Sequence, residues 1–99
     1  MCGGTAGGLS TEGIDLTKEA VIEGVVRRDG EPVGGAYVRL HDAAGEFTAE
    51  VPTSATGAFR FFASPGTWLV RVLAPGRPEP AERRVVARQG AVASVEVSV

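Results

Sequence analysis

Short apolar runs alternate with polar positions from residue 20 onward, and turn residues separate one run from the next. Residues 36–42, AYVRLHD, are the clearest case, because Ala36, Val38 and Leu40 point one way and Tyr37, Arg39 and His41 the other. Such alternation is typical of strands that bury one face, and no stretch has the period of a helix. The pattern predicts seven strands, which span residues 20–28, 36–42, 46–53, 58–63, 67–73, 81–87 and 91–99.

Seven short strands with regular turn spacing predict an all-β fold, a seven-stranded Greek-key sandwich. At roughly 1.5–3 kcal/mol for each large apolar side chain removed from water, the inward positions are numerous enough for the core of one small domain. The predicted core consists of Ile22, Val26, Val38, Leu40, Phe59, Phe61, Trp68, Val70, Val72, Val95 and Val97. Three apolar residues, Phe62, Leu69 and Leu73, fall on the opposite phase, which indicates strand bulges, cover by the N-terminal segment or a partner surface.

Residues 1–19 lack this alternation and contain five glycines. We predict a flexible N-terminal tail and lead-in loop over residues 1–19, followed by the sandwich domain over residues 20–99. The N-terminus has neither the basic nor the apolar region of a signal peptide, and no stretch is long and apolar enough to span a membrane. Together with the single cysteine, these features lead us to expect a cytoplasmic protein that has no membrane partner.

The charge of the chain excludes one class of partner. The 99 residues carry a formal net charge of −2, whereas a nucleic-acid-binding domain normally has a basic excess. We therefore predict no nucleic-acid partner. The sequence also shows no cofactor motif, so no cofactor is predicted, and the oligomeric state is left open.

The polar residues of the strands and turns offer few candidates for chemistry. His41 is predicted to point outward as a surface histidine, and a metal site would need further ligands, for which only Cys2 and scattered carboxylates are available. Asp42 and Glu46 flank a turn and are predicted to be solvated turn residues rather than an acid–base pair. Two arginine pairs are explained equally well by protection of strand edges or by an anionic partner, namely Arg27–Arg28 and Arg83–Arg84.

Several spaced landmarks resemble those of the carboxypeptidase-regulatory-like domain. They are Ile22-x-Gly24-x-Val26, then Gly30-x-Pro32-Val33-x-Gly35-Ala36-x-Val38-x-Leu40, then Thr56-Gly57-x-Phe59-x-Phe61, and Pro65-Gly66-Thr67-Trp68-x-Val70-x-Val72. The resemblance implies a prealbumin-like (transthyretin-like) sandwich, in which these glycines and prolines form turns rather than a site. Hydroxyisourate hydrolases of this architecture end in Tyr-Arg-Gly-Ser, whereas this chain ends in VEVSV. We therefore expect that the chain is not an enzyme by itself.

The whole chain, including its opening MCGG and the run from Glu46 to Val51, is similar to a narrower group. This group consists of short actinobacterial proteins known as a domain of unknown function, often encoded beside a thiosulfate sulfurtransferase (rhodanese). The resemblance implies an accessory protein of sulfur metabolism whose partner is that sulfurtransferase.

Cys2 is the only cysteine and directly follows Met1. Removal of Met1, which is normal before a small residue, would leave a free α-amino group beside the thiol. The ammonium favours the thiolate and lowers the thiol pKa below the usual value of about 8.5. Cys2 is therefore the candidate acceptor that takes sulfane sulfur from the persulfide of the sulfurtransferase.

Two other interpretations of Cys2 stay open at the level of sequence. It can be an ordinary exposed residue, in which case the sandwich is a plain protein-binding module that docks through a sheet face or edge. It can also bind a metal ion together with the N-terminal amine. Substitution of Cys2 by serine distinguishes the sulfur acceptor from the binding module, since only the first needs the thiol.

Overall fold

A computed structural model gives the fold of the chain and describes residues 20–99. These residues form eight strands: β1 (Ala20–Arg28), β2 (Glu31–Pro32), β3 (Tyr37–His41), β4 (Phe47–Pro52), β5 (Ala58–Ala63), β6 (Gly66–Leu73), β7 (Ala81–Ala87) and β8 (Val92–Ser98). The predicted tail and lead-in loop, residues 1–19, lie outside the described residues, and so does Cys2. Within residues 20–99 there is no helix long and apolar enough to cross a membrane.

The first sheet, called sheet A, is built around β1. The upstream part of β1 pairs antiparallel with β5, with Val21 opposite Phe62 and Glu23 opposite Arg60. The downstream end of β1 pairs with the short strand β2. On its other side β1 pairs with β8, and this pairing is parallel, with Val21 opposite Val92. Sheet A therefore joins the first and last strands of the described region side by side.

The second sheet, called sheet B, has the strand order β4-β3-β6-β7 and is antiparallel throughout. Its register places Val38 beside Val72 and Leu40 beside Val70. The pairing of β3 with β4 shifts between Leu40 and His41, which is a β-bulge. A bulge adds one residue to one strand and re-aims the side chains around it.

The core fills the space between the two sheets and confirms the predicted all-β sandwich. Nine of the predicted core residues are buried: Ile22, Val26, Val38, Leu40, Phe59, Phe61, Val70, Val72 and Val97. Trp68 and Val95 are only partly buried and pack against this cluster from its margin. Trp68 lies near the start of β6, and its indole N–H donates to the carbonyl oxygen of Ser64 at 2.9 Å, so its polar edge is satisfied outside the core.

The seven predicted strands correspond to the seven longer strands, and the eighth is the two-residue β2. The sequence predicts a turn over residues 29–32, but only the first half of it is a turn: Asp29 and Gly30 have positive φ, 52° and 83°, whereas Glu31–Pro32 form strand β2. Two central residues with positive φ form the tight turn that suits the twist of a hairpin. The chain then continues as Glu31–Pro32 against the end of β1, where proline is tolerated because β2 lies at an edge.

Gly24 corrects the expectation that the landmark glycines serve turns. It lies in the middle of β1, not in a turn. A Cβ atom added there would lie 2.6 Å from Cζ of Phe59 and still closer to the carbonyl oxygen of Val95. The absence of a side chain at Gly24 is therefore what lets the Phe59 ring and β8 approach the backbone of β1.

Candidate functional site

The outer face of sheet A, which points away from the core, differs from an ordinary solvated strand face. Alternation places Ile22 and Phe59 in the core, so their neighbours Val21, Glu23, Arg60 and Phe62 point outward. Val21 is nevertheless 0% exposed and Arg60 only 4%. An outward valine and an outward arginine are thus both removed from solvent.

Arg60 is bound on this face by an ion pair with Glu23. Its Nη2 atom donates to Oε2 of Glu23 at 3.1 Å, and the Glu23 side chain remains 32% exposed. The Nε and Nη1 atoms of Arg60 are buried and have no hydrogen-bond partner among the described residues. Since a guanidinium carries five N–H donors, one ion pair leaves much of its hydrogen-bonding capacity unused.

A pocket of about 660 Å³ opens on the same face and includes Glu23, the ion-pair partner of Arg60. Glu23, Ser94 and Thr56 contribute polar groups to it, while Val25 and Ala58 contribute apolar surface. Arg27 lines it as well and donates through Nε to Oε2 of Glu96 at 2.7 Å. Gly24 and Val95 complete its lining. The pocket therefore combines a mainly apolar surface with carboxylate and hydroxyl groups.

The outer face of sheet B carries exposed apolar side chains between ion pairs. Tyr37 and Leu73 lie directly opposite each other at one end of this face, and Tyr37 is 52% exposed. Phe47 is 56% exposed, and the Arg39 guanidinium lies 5.5 Å from its ring centroid. Two ion pairs, Arg39–Glu50 and Arg71–Glu82, both at 2.7 Å, cross the face. Leu69 and Leu73 thus belong to sheet B, whereas Phe62 belongs to sheet A, so the three out-of-phase residues do not form one surface.

His41 is not the surface histidine that the sequence predicts, because it is only 7% exposed. It pairs with Leu69 on one side and, across the bulge, with Phe47 on the other. The Phe47 ring meets the imidazole edge-on, with a centroid distance of 5.9 Å. Nδ1 lies 3.2 Å from the carbonyl oxygen of Gly45, and Nε2 has no partner among the described residues. The bulge and the turn after it bury a side chain that strict alternation would leave in water.

The remaining candidates of the sequence are turn or edge residues in the structure. Oδ1 of Asp42 accepts from the backbone N–H groups of Ala44 and Glu46, each at 2.9 Å, so this carboxylate closes a turn. Arg28 donates to the carbonyl oxygen of Pro75 at 2.6 Å. Arg83 and Arg84 are exposed on β7, an edge strand of sheet B, where charge opposes strand-to-strand aggregation.

The described residues contain no group of three or more His, Cys, Asp or Glu side chains that could hold a metal ion. Sequence reasoning did not single out Arg60 or Val21. One signal was available, because the outward positions of β5, Ala58, Arg60 and Phe62, are apolar on both sides of the arginine. An outward strand face of this composition indicates that something covers it.

Solved structures of similar shape are β-sandwich proteins. A DUF3823 family protein from Parabacteroides merdae superposes with a TM-score of 0.66 at 14% identity over 84% of this chain, which spans 46% of that protein. The dioxygenase domain of a dioxygenase carbohydrate-binding protein fusion from Streptomyces sp. SirexAA-E gives a TM-score of 0.63 at 14% identity and covers 92% of this chain and 84% of its own. Similarity at identities this low shows a shared fold but not a shared function.

Mycobacterial proteins are much closer in sequence. The uncharacterized protein Rv0814c of Mycobacterium tuberculosis is 59% identical over 75 residues, which are 74% of this chain and 75% of that protein. An uncharacterized protein of Mycolicibacterium smegmatis is 66% identical over 62 residues, which are 62% of this chain and 69% of that protein. A profile of the family described as "Protein of unknown function (DUF1416)" matches residues 2–99. The expectation of a family of unknown function is thereby confirmed, and the chain belongs to the DUF1416 family.

Proposed function

We propose that this protein is a non-catalytic accessory protein of sulfur metabolism that accepts sulfane sulfur on Cys2 from a thiosulfate sulfurtransferase. The observation that carries the proposal is the position of the single thiol. Cys2 is the only cysteine in the chain and stands in a glycine-rich stretch, and the family match begins at this residue. A cytoplasmic location belongs to the proposal, because a reducing compartment keeps such a thiol free.

The transfer needs no cofactor and no change in overall oxidation state. The Cys2 thiolate attacks the outer sulfur atom of the persulfide on the sulfurtransferase. The sulfur–sulfur bond of that persulfide breaks, and the cysteine of the enzyme leaves as a thiolate that takes up the proton lost by Cys2. Cys2 becomes the persulfide, so one sulfur atom moves from one thiol to the other.

The sandwich would act as the docking body in this proposal. The pocket face of sheet A presents Glu23 and Glu96, and the outer face of sheet B presents Tyr37 and Phe47 with ion pairs between them. Exposed aromatic side chains beside charged pairs are common at protein interfaces. The alternative function, a β-sandwich protein-binding module in which Cys2 has no chemical role, would use these same surfaces.

The test is an intact mass of the purified protein after incubation with thiosulfate and an active thiosulfate sulfurtransferase. The expected result is one added sulfur atom on the wild type, removed by mild reduction, and none on Cys2→Ser. A parallel sample with a sulfurtransferase that lacks its own cysteine controls for direct reaction with thiosulfate. No added sulfur on the wild type would overturn the acceptor role and favour the binding module.

A further inference from the structure

The burial of Val21 cannot be explained by the described strands alone. Val21 points away from the core, and its neighbours in the sheet are Phe62 on β5 and Val92 on β8. Neighbouring strands shield a side chain only from its two sides, so an outward residue on an uncovered sheet keeps part of its surface in water. Val21 is 0% exposed, and it is absent from the core cluster. A further layer must therefore lie on this end of sheet A.

Arg60 gives an independent indication on the same face. Its Nε and Nη1 atoms are buried without a hydrogen-bond partner among the described residues. Leaving the donors of a buried charged group unpaired is costly, since such groups are normally paired and hydrogen-bonded. The free donors therefore point to an acceptor of negative charge next to Arg60, in addition to Glu23.

We propose that the N-terminal segment, residues 1–19 of the same chain, docks along the outer face of sheet A and supplies both the apolar cover and the acceptor. The segment contains the apolar residues Leu9, Ile14 and Leu16, which suit the surface of Val21 and Phe62. It also contains the acids Glu12, Asp15 and Glu19 against a single base, Lys18. One of these acids would supply the carboxylate that the unpaired donors of Arg60 need, on a face that also carries Glu23 and Glu96.

The connectivity of the chain favours this occupant over a second copy or another protein. The segment enters sheet A at Ala20, directly beside Val21 and opposite Ala63, so its last residues begin at the covered end of the face. A strand the length of β5 spans about 20 Å, whereas 19 residues reach up to about 60 Å, so the segment is long enough to pass Phe62 and Arg60. Tethering also gives it an effective concentration that a separate molecule does not have.

This proposal does not depend on sulfur transfer by Cys2. A docked segment would lie next to the Glu23 end of the pocket on sheet A. The contacts with sheet A would keep the segment on one face of the sandwich whether or not Cys2 reacts. The two proposals can therefore fail separately.

The test uses a nitroxide label on the segment and needs no truncation of the chain. The Cys2→Ser/Ser10→Cys variant carries its single thiol in the middle of the segment, and the nitroxide on it broadens nearby amide signals. We expect stronger broadening at Val21, Arg60 and Phe62 than at Tyr37 and Leu73 on the opposite sheet. The matched control, Cys2→Ser/Ala44→Cys, places the same label on the β3–β4 turn and should broaden the Val21 and Arg60 signals less than the segment label does.

A mixed sample distinguishes docking of the chain's own segment from docking of the segment of a second copy. Isotope-labelled protein without nitroxide is combined with unlabelled protein that carries it, so that only contacts between molecules broaden signals. Broadening seen only in the sample whose molecules carry both the isotope label and the nitroxide supports docking within one chain. Broadening at sheet A in the mixed sample would assign the cover to a second copy, and equal broadening of both sheets would show that the segment does not dock; either result overturns the proposal.

A series of charge-neutralising substitutions tests the contact with Arg60 in the full chain. Glu12→Gln/Asp15→Asn should lower the unfolding midpoint in the wild type but not in an Arg60→Gln background. Glu31→Gln, which neutralises an exposed acid on β2, is the matched control and should give the same shift in both backgrounds. Equal shifts for the segment variants in both backgrounds would refute a carboxylate contact with Arg60. If Arg60→Gln does not fold, the nitroxide measurement decides the proposal.

Discussion

Replacing Gly24 by alanine should destabilise the protein although alanine is the better strand residue. Glycine in a strand interior is typically less stable than alanine by about 0.5–1 kcal/mol, so backbone entropy alone favours the substitution. Against this gain stands the added Cβ atom, which would lie 2.6 Å and 2.9 Å from two atoms of the Phe59 ring and closer still to the carbonyl oxygen of Val95. Overpacking of a core typically costs about 1–3 kcal/mol.

The upper end of that range applies at Gly24, because one of the two obstacles is backbone. The Phe59 ring can move by rotation only into a core that is already filled, and the carbonyl of Val95 belongs to the parallel pairing of β8 with β1. A cost of about 3 kcal/mol less a gain of about 1 leaves a net loss of about 2 kcal/mol. For a domain of this size, such a loss lowers the melting temperature by about 8–16 °C.

Thermal and urea unfolding followed by fluorescence of Trp68, the single tryptophan, measures this loss. Gly45→Ala is the matched control, since a Cβ atom there meets nothing within 4 Å but the residue has a φ of +87°. The control therefore isolates backbone strain of about 1 kcal/mol, and it should be the milder variant. A melting temperature of Gly24→Ala equal to or above that of the wild type would refute the close packing of β1, Phe59 and β8.

Three further substitutions test the fold in the same assay. Thr53→Val should lower the free energy of unfolding by about 1–3 kcal/mol, because the buried Thr53 hydroxyl accepts from the Ala36 N–H at 2.9 Å and donates to the Val33 carbonyl at 2.7 Å. Thr53→Ser, which keeps the hydroxyl, should retain most of the wild-type stability. Equal stability of Thr53→Val and the wild type would contradict the assigned hydrogen bonds. Phe59→Ala should cost about 3–5 kcal/mol, since Phe59 is fully buried, and a loss below about 1 kcal/mol would place its ring outside the core. Asp42→Ala should cost about 1 kcal/mol through two lost turn bonds, and an unchanged urea midpoint would show that the turn closes without the carboxylate.

The sequence predicted the strands and most of the core because both follow from the period-2 pattern. Val38 and Leu40 alternate with Tyr37, Arg39 and His41, and Val70 and Val72 lie on either side of Arg71. The structure buries all four of these valine and leucine side chains. Trp68 and Val95 have the correct phase but lie at the margin of the core. Phase determines the face on which a side chain lies, whereas its distance from the sheet edge determines how deeply it is buried.

The features missed by the sequence depend on contacts far apart in the chain. His41 is buried by a bulge in the pairing with β4, and no local signal marks which residue a partner strand will skip. The parallel pairing of β1 with β8 joins residues near opposite ends of the described region. Burial of Arg60 depends on what covers sheet A, and alternation alone says only that Arg60 points outward.

The most direct test of the proposed function is sulfur transfer from a preloaded partner in a single turnover. A thiosulfate sulfurtransferase is loaded with sulfur, separated from thiosulfate and mixed with one equivalent of this protein, and the intact masses of both chains are followed in time. We predict that the enzyme loses one sulfur atom as the wild-type protein gains one, and that the enzyme keeps its sulfur when mixed with Cys2→Ser. An enzyme that keeps its sulfur beside the wild-type protein, or equal transfer to wild type and Cys2→Ser, would contradict the assignment of Cys2 as the sulfur acceptor.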